Sequence, residues 1–536
     1  TALQGALNLT AEQIERILIA TGRDLATAVL SLANVSLLYR YGLLAKAMKL
    51  KVTDLITLQE LSGLDPFKPL KADELAVIKD DYPFTQTLKF IETAEKVKQS
   101  NFKIEDLDYL LRHRFDPVGQ YRANPDAVIS LVRSLASEIR RIQTEHVVPA
   151  DAASITDEVL RQKLALVMPA EVVDTFLGMW TGAIAYEANQ ENVSPGDELD
   201  PNTISEPAIS VTYDSVRQVQ RLTFQGVLLD AKKAQLTTAN SSPLLANLLD
   251  QVQVQAKAFF DKYFTSFLTE PGDFDLLFTP IADELSATEK QNRLRQKLEK
   301  LVQGFFPFLQ NKLIRQFIVQ TLAANLNADL DLIEGLLTDT ELLADPTEPS
   351  QPLLNAFAAI GATGVSASFF PSGDGTGTPI TKLVAAADTT EKPSGSNSAR
   401  LESYFEVPSA GAYRFFIVFD KQNAEAELHL AHLPNPLLRG KAAADNTEIS
   451  QFTELKPGVP YQFILNIHDI GDGNVTLLIQ GETLPKDSLS QLTLYPQVAV
   501  DRFHRAHTLL TKVRQLIEGL ALNEREVRYL LTHPED

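Results

Sequence analysis

Apolar positions at helical spacing dominate the first part of the chain and return at its end. The clearest example is residues 101–117, where the apolar anchor Phe102 is followed by Leu107, Leu110 and Leu111. Spacings of three and four residues place these leucines on one face of a helix. We therefore expect a short amphipathic helix here, with the leucines packed against a neighbouring helix.

Three further segments repeat this layout, which predicts an array of helical hairpins that bury their faces by stacking. Thr10 with Gln13, and Asn523 with Glu526, have the spacing of a capping box, which marks the start of a helix. Asp-Pro at 65–66 ends one copy, because the residue before a proline avoids the helical region. The matching positions are Leu9, Ile14, Ile17 and Leu18, then Leu50, Leu55 and Leu58, then Leu522, Val527, Leu530 and Leu531, with Tyr109 and His113 matched by Tyr529 and His533 before Pro534.

The helical pattern forms a first part, residues 1–205, and a second part, residues 231–358. We expect a long buried helix at Ala26–Met48, and an interruption at Pro307, since proline removes a hydrogen bond inside a helix. Between the two parts, residues 206–230 alternate and are rich in Val, Thr, Tyr and Phe, which is typical of a β-hairpin. Further helices are expected at 125–144 and, split at Pro169, at 157–186, followed by a polar loop from 187.

Residues 360–497 change to strand-like alternation, with turn residues between short apolar runs. Residues 408–411 and 469–474 carry the Gly, Pro and Asn that hairpin turns require. This pattern predicts an antiparallel β-sandwich. Residues 498–536 return to the helical pattern, so the expected fold class is mainly α with a β insertion. The sandwich would then interrupt one helical array, and its two ends would lie close together.

Composition excludes several classes of protein. The 536 residues carry 69 acidic and 49 basic side chains, a net charge of −20. Nucleic-acid binders have basic patches, so we expect no nucleic-acid partner. The chain has no cysteine, which excludes disulfides and thiol chemistry.

The most apolar window, 166–186, contains Pro169, Glu171 and Asp174, and predicts core helices rather than a membrane span. Because the first residue is Thr1, we expect a piece of a longer protein.

Motif searches find no HExxH, GxSxG, P-loop or GxGxxG after a strand. We therefore expect no enzyme activity, no catalytic residue and no cofactor.

His504 and His507, near Asp501, have a spacing that a metal site can use, but a solvated helix start explains them, and we expect no metal. The carboxylates of Asp469 and Asp472 lie in a predicted turn, where aspartate is favoured for backbone reasons. Glycosidase chemistry is not expected from them.

One stretch of the β region resembles a known binding module. Residues 399–420, ARLESYFEVPSAGAYRFFIVFD, are similar to the protective-antigen-type carbohydrate-binding β-sandwich, in which a loop with two adjacent aspartates binds calcium and sugar. Here Asp420 is followed by Lys421, and an ammonium group is no ligand for calcium, which prefers oxygen. The resemblance then implies recognition of a glycan or protein through Asp420, Gln422 and Asn423. The alternative is a structural sandwich with polar loops.

The helical stretches resemble a second family, the A component of bacterial Tc (toxin complex) insecticidal toxins. The resemblance rests on residues 30–67 (LSLANVSLLYRYGLLAKAMKLKVTDLITLQELSGLDPF), 221–236 (RLTFQGVLLDAKKAQL) and 336–346 (LLTDTELLADP), with the paired YLLxH units. It implies a homopentamer with a helical shell around a translocation channel, and a host receptor or glycan bound through 360–497. It also implies a secreted or bacterial cell-surface protein that meets the membrane only through parts outside this chain.

Two other functions remain open from the sequence. The first is a glycoside-acting enzyme with an accessory β-sandwich, which predicts a deep pocket with convergent carboxylates of separated pKa. The second is a helical adaptor or scaffold unrelated to toxins. It differs from the toxin hypothesis only in its partners.

Overall fold

The computed structural model describes residues 2–70, 82–122 and 124–533 and combines α-helices with antiparallel β-sheets. The chain forms two compact units, and each predicted helical part, 1–205 and 231–358, is divided between them. The predicted parts 1–205 and 498–536 include residues outside the described ranges. Unit 1 consists of Thr1–Val132, Ala323–Ala356 and Gln497–Asp536, and unit 2 consists of Arg133–Leu322 and Phe357–Pro496.

The helices account for most of the described residues before the sandwich-like region and for most of those that follow it. In chain order they are α1 (Ala2–Leu7), α2 (Ala11–Ala20), α3 (Leu32–Ala47), α4 (Val52–Ser62), α5 (Pro83–Gln99), α6 (Ile104–Arg112), α7 (Pro125–Glu145), α8 (Asp157–Ala165), α9 (Ala170–Thr181), α10 (Asp230–Ala239), α11 (Pro243–Tyr263), α12 (Asp273–Phe278), α13 (Ala287–Leu326), α14 (Leu330–Thr338), α15 (Leu353–Ala358), α16 (Gln497–Leu520) and α17 (Glu524–Thr532). None of the described helices is both long enough and apolar enough to cross a membrane.

Within the described residues, the strands form three antiparallel sheets. In chain order they are β1 (Ala185–Gln190), β2 (Ile209–Asp214), β3 (Val219–Gln225), β4 (Val365–Phe370), β5 (Ile380–Val384), β6 (Ser398–Glu406), β7 (Gly411–Phe419), β8 (Glu425–Leu430), β9 (Leu438–Lys441), β10 (Thr447–Leu455), β11 (Tyr461–His468), β12 (Val475–Gln480), β13 (Asp487–Ser488) and β14 (Thr493–Pro496). The first sheet has the order β1-β3-β2, the second β10-β7-β12-β13, and the third β5-β4-β6-β11-β8-β9 with β14 on β6.

In unit 1, helices α2 to α5 enclose a hydrophobic core that buries Leu9, Ile14, Ile17 and Leu18 of one copy of the repeat and Leu55 and Leu58 of another. Both predicted capping boxes form, at the starts of α2 and α17. Helix α6 differs from the prediction, because Tyr109 is buried while Leu111 is 70% exposed. The ring of Tyr109 stacks on Tyr121 with centroids 4.3 Å apart, which turns the buried face away from Leu111. In α17, Leu530 is also 44% exposed.

The predicted helix at 26–48 is shorter in the structure. Helix α3 begins at Leu32, where the hydroxyl oxygen of Ser31 accepts a hydrogen bond of 3.3 Å from the backbone N–H of Asn34. A serine in this capping position satisfies a donor at the helix start that has no partner inside the helix. The apolar residues before Ser31 therefore lie outside the helix, and Val29 is 70% exposed.

The predicted interruption at Pro307 is wrong, because α13 continues through it. A proline inside a helix costs about 3 kcal/mol through the lost hydrogen bond and a steric clash. Phe305, Phe306 and Leu309 around it are all buried in the core of unit 2. Their burial holds the helix together across the proline.

The predicted hairpin at 206–230 belongs to a larger sheet than the sequence indicates. Strands β2 and β3 pair as expected, but β1 pairs with the other edge of β3. Residues 185–190 were expected to be the end of a helix and the start of a loop. Only Tyr186 and Ala188 of β1 are buried, and the polar residues between them hide the strand from a search for apolar runs.

Residues 365–496 form a β-sandwich-like region, which we call the sandwich, within the predicted range 360–497. Two of the antiparallel sheets share one hydrophobic core. Strand β11 shows the principle, since Tyr461, Phe463, Leu465 and Ile467 are buried and alternate with partly exposed residues. Alternation of this kind directs every second side chain into the core.

Segments on both sides of the sandwich pack within unit 1. Arg502 of α16 forms an ion pair of 2.6 Å between its Nε and Oδ2 of Asp345, whose side chain is fully buried. A second bond of 3.0 Å joins Arg502 to the Glu348 carboxylate. Farther along, Nη1 of Arg528 lies 2.8 Å from Oδ2 of Asp339. The chain that follows the sandwich therefore returns to the unit it left.

Within unit 2, Arg140 of α7 donates hydrogen bonds to the two segments at which the chain enters and leaves the sandwich, which we call the chain crossings. Its Nε donates to the carbonyl of Gly361 at 3.1 Å, and its Nη2 donates to the carbonyls of Ala362 at 2.8 Å and Leu494 at 2.6 Å. The guanidinium carbon lies 5.0 Å from the ring centroid of Tyr495. One side chain thus joins the entry and the exit of the inserted module.

Candidate functional site

Loops from both sheets meet at one end of the sandwich, which we call the loop end. It is built from residues 371–379, 389–397, 420–424, 442–446 and 469–474. Backbone hydrogen bonds join neighbouring loops, including those from Asp469 N to Gly373 O at 3.1 Å and from Ile470 N to Asn397 O at 2.8 Å. The loop end contains all three residues that the sequence singled out for binding.

Asp420 directly follows β7, and its carboxylate holds the adjacent loop in place. Its backbone N–H donates to the carbonyl of Asn474 at 3.1 Å, and its Oδ1 accepts from the Asn474 backbone N–H. The Asn474 side-chain amide lies 3.4 Å from Oδ2. A Cβ at Gly473 would lie 2.6 Å from Oδ1, so the close approach requires glycine. The structure therefore gives Asp420 a part in building the loop end.

Gln422 and Asn423 are exposed, and their backbone is held in place. The N–H of Gln422 donates to Oδ1 of Asp445 at 2.9 Å, and the N–H of Asn423 donates to the carbonyl of Ala442 at 2.9 Å. This hydrogen bond from Gln422 is the largest cause that lowers the pKa of Asp445, and the bond from Lys421 is the second. Asn423 has a φ of 76°, a left-handed conformation that asparagine tolerates better than most residues. The two amide side chains are thus presented from a fixed loop.

Lys392 is a member of the loop end that sequence reasoning missed. Its ammonium donates to the carbonyl of Gly471 at 2.7 Å and to that of Gly473. Burial lowers the pKa of Lys392, while the nearby carboxylates of Asp420 and Asp472 act in the opposite direction. The lysine lies in a Pro- and Ser-rich stretch, EKPSGSN, and carries no signal in the sequence that points to this position. The acidic side chains of the loop end therefore have a cation supplied by the chain.

The histidine pair near Asp501 lies in unit 1. The imidazole of His507 stacks on Phe503 with ring centroids 5.8 Å apart, and burial lowers the pKa of His507. His504 and His507 both line a cavity of about 230 Å³, whereas Oδ1 of Asp501 accepts a hydrogen bond of 2.9 Å from Gln497. Across the described residues, no three His, Asp or Glu side chains are grouped so that they could hold a metal ion.

Comparison with known proteins finds no matching family model and no matching curated protein. Among solved structures, an anti-sigma factor domain-containing protein from Clostridium clariflavum is 19% identical with a TM-score of 0.22, and the match covers 25% of this chain and 48% of that chain. A PA14 sugar-binding domain from an RTX adhesin is 10% identical with a TM-score of 0.20, covering 25% of this chain and 99% of that chain. A β-glucosidase from Kluyveromyces marxianus is 11% identical with a TM-score of 0.18, covering 37% and 33%. The chain thus spans about half the length of the anti-sigma factor structures it matches, and at these TM-scores the similarities carry no functional argument.

Proposed function

We propose that this chain is a non-enzymatic scaffold that presents the loop end of its sandwich to a glycan or protein on a host cell. In this proposal the helices are part of a shell around the translocation channel of a Tc-type toxin A component, assembled from five copies. The sandwich acts as a protective-antigen-type module that works without calcium. The observation that carries the proposal is the insertion, since helical segments before and after the sandwich pack in one unit.

The geometry of the loop end supports recognition through Gln422 and Asn423. Each carboxamide offers two N–H donors and one carbonyl acceptor, a combination that suits the hydroxyl groups of sugars and the backbone of a protein. Binding from a loop whose backbone is already ordered costs less conformational entropy than binding from a mobile one. The bonds to Asp445 and Ala442 provide that order. Asp420 contributes indirectly, because it holds the neighbouring loop through Asn474.

The test is binding of the full chain to a glycan array and to host cells. A double variant, Gln422→Ala with Asn423→Gly, removes both carboxamides, and glycine keeps the left-handed backbone at 423. We expect at least a tenfold loss of affinity, equivalent to about 1.4 kcal/mol. Asn435→Ala, in the exposed loop between β8 and β9 at the other end of the sandwich, is the matched control and should bind normally.

Two outcomes count against the proposal. Equal binding by the double variant and the unaltered chain would remove the loop end as the recognition surface. Absence of any glycan or cell binding, together with full toxicity of an A component that lacks residues 365–496, would leave only a scaffold role for the helices.

A further inference from the structure

A large cavity in unit 2 lies between α9, the three-stranded sheet and the first part of α13. Its volume is about 640 Å³, within the range of about 300–1,000 Å³ that is typical of small-molecule sites. Apolar side chains form much of its wall, among them Trp180, Phe224, Ile281 and Leu294. Size and lining together are those of a ligand site with an apolar interior. Neither the repeats nor the sandwich pointed to it.

Lys297 contributes an ammonium group to the lining of this cavity. Lys297 is 8% exposed, and its Nζ lies 5.8 Å from the ring centroid of Trp180. The ammonium donates to the carbonyl of Thr279. An ammonium has three donors, and a buried charge is unfavourable unless it is paired. In the part of the chain that the structure describes, no carboxylate forms an ion pair with Lys297, and burial lowers its pKa.

The remaining charges in the lining do not neutralise this lysine. Glu206 and Lys232 also line the cavity, and they pair with each other at 2.5 Å between Oε2 and Nζ. The lining therefore has a net charge of +1, counted over its described residues, in a chain whose net charge is −20. A positive group inside an apolar cavity selects an anion that also has an apolar body.

We propose that this cavity binds a small amphipathic carboxylate, such as a medium-chain fatty acid. The carboxylate accepts hydrogen bonds from the Lys297 ammonium, and the hydrocarbon lies against Trp180, Phe224 and Leu294. A charge-assisted hydrogen bond in a water-poor site is roughly twice as strong as a neutral one. The ligand thus supplies a negative charge in addition to the Thr279 carbonyl that Lys297 already contacts, and the apolar walls exclude small hydrophilic anions.

Trp180 makes the test direct, because it is the only tryptophan in the chain and lies in the cavity wall. Its indole N–H donates to Oδ1 of Asp157 at 3.2 Å, so the ring is held in place beside the ligand site. Octanoate and 1-octanol share a hydrocarbon chain and differ in charge, and each is titrated into the full chain while Trp180 fluorescence is followed. We expect octanoate to change the fluorescence with a Kd at least tenfold below that of 1-octanol.

The variants assign the difference to one side chain. Lys297→Met keeps the volume and removes the charge, and it should bring the two Kd values within twofold of each other. Lys297→Arg should keep the preference for octanoate. Lys290→Met, on the same helix but outside the lining, is the matched control and should behave as the unaltered chain. Circular dichroism confirms that each variant is folded.

Three results would each overturn the inference. The first is equal Kd values for octanoate and 1-octanol in the unaltered chain, and the second is absence of binding by both compounds. The third is an undiminished preference for octanoate in folded Lys297→Met.

Discussion

Arg140 allows the attachment of the sandwich to be tested by one substitution, Arg140→Met. Methionine fills a similar volume but donates no hydrogen bond. The carbonyls of Gly361 and Leu494 belong to buried residues and would lose a charged donor. The carbonyl of Ala362 is half-buried and would be free to bind water. The change therefore acts on the two chain crossings and leaves the core of the sandwich intact.

The expected cost follows from the two buried acceptors. A buried acceptor that loses its donor costs about 1–3 kcal/mol. Two such groups give about 2–6 kcal/mol, and removing a guanidinium that burial already disfavours returns part of it. Burial lowers the pKa of Arg140, because the charged guanidinium loses contact with water. We expect a net loss of roughly 3 kcal/mol in the stability of the crossings.

Native-state hydrogen exchange measures this local stability. A loss of roughly 3 kcal/mol accelerates exchange about a hundredfold for amides that exchange by opening of the crossings, since each 1.4 kcal/mol is a factor of ten. The amide of Ala362, bonded to the carbonyl of Ala359 at 3.1 Å, and the amides of β14 should show it. Amides of β11, in the middle of the sandwich, should change little.

The neighbouring Arg141→Met is the matched control. Arg141 is 60% exposed and pairs only with Glu138 and Glu145 of its own helix among the described residues. Exposed pairs of this kind contribute about 0.3–0.5 kcal/mol. Two results would refute this role of Arg140 in holding the chain crossings. One is an amide exchange rate in Arg140→Met within threefold of that in the unaltered chain, and the other is the same acceleration of exchange in Arg141→Met.

Three further predictions concern stability. Arg502→Met leaves the buried carboxylate of Asp345 without its cation and should lower the free energy of unfolding by about 3–5 kcal/mol in urea titrations. Gly361→Ala places a Cβ 2.3 Å from Cγ2 of Ile139 and should cost about 1–3 kcal/mol by the same measurement. Burial lowers the pKa of His507 below its ordinary 6.5, so the folded state binds fewer protons than the unfolded state, and stability should fall as the pH drops below about 7. His507→Asn should reduce that pH dependence.

Each of these has a result that would contradict it. Arg528→Met breaks a more exposed ion pair and should lower the free energy of unfolding by less than about 1 kcal/mol. Equal losses for Arg502→Met and Arg528→Met would show that burial does not make the Arg502 ion pair more important to stability. An unchanged urea midpoint in Gly361→Ala would show that Ile139 moves aside at little cost. For His507, an unaltered slope of stability against pH in the variant would assign the acid sensitivity to other groups.

The sequence predicted strands best where one face is buried and the other is not. Strand β11 alternates strictly, and the turn residues that follow it at 469–474 include Gly and Asn, so its sequence has the pattern that predicts a strand. Strand β10, an edge strand with the sequence TEISQFTEL, lacks that pattern, because it buries only Leu455 among its nine residues. A strand that contributes little to the core has no reason to show an apolar pattern.

The loop end was predictable only in part. Exposure of Gln422 and Asn423 follows from local turn chemistry, which the sequence encodes within a few residues. Lys392 reaches the carbonyls of Gly471 and Gly473, about eighty residues farther along the chain. Such a contact exists only after both sheets have paired. No spacing rule between neighbouring residues can reveal it.

The meeting of both chain crossings on Arg140 has a consequence for how this architecture can diversify. The carbonyls of the entry and exit segments accept hydrogen bonds from one guanidinium whatever side chains those segments carry, whereas the ion pair of 2.7 Å between Arg133 of α7 and Glu406 depends on a side chain of the module. A module of unrelated sequence, with termini equally close, could replace the present one as a cassette. The sequence of the module and the sequence of the helices could then change independently of each other.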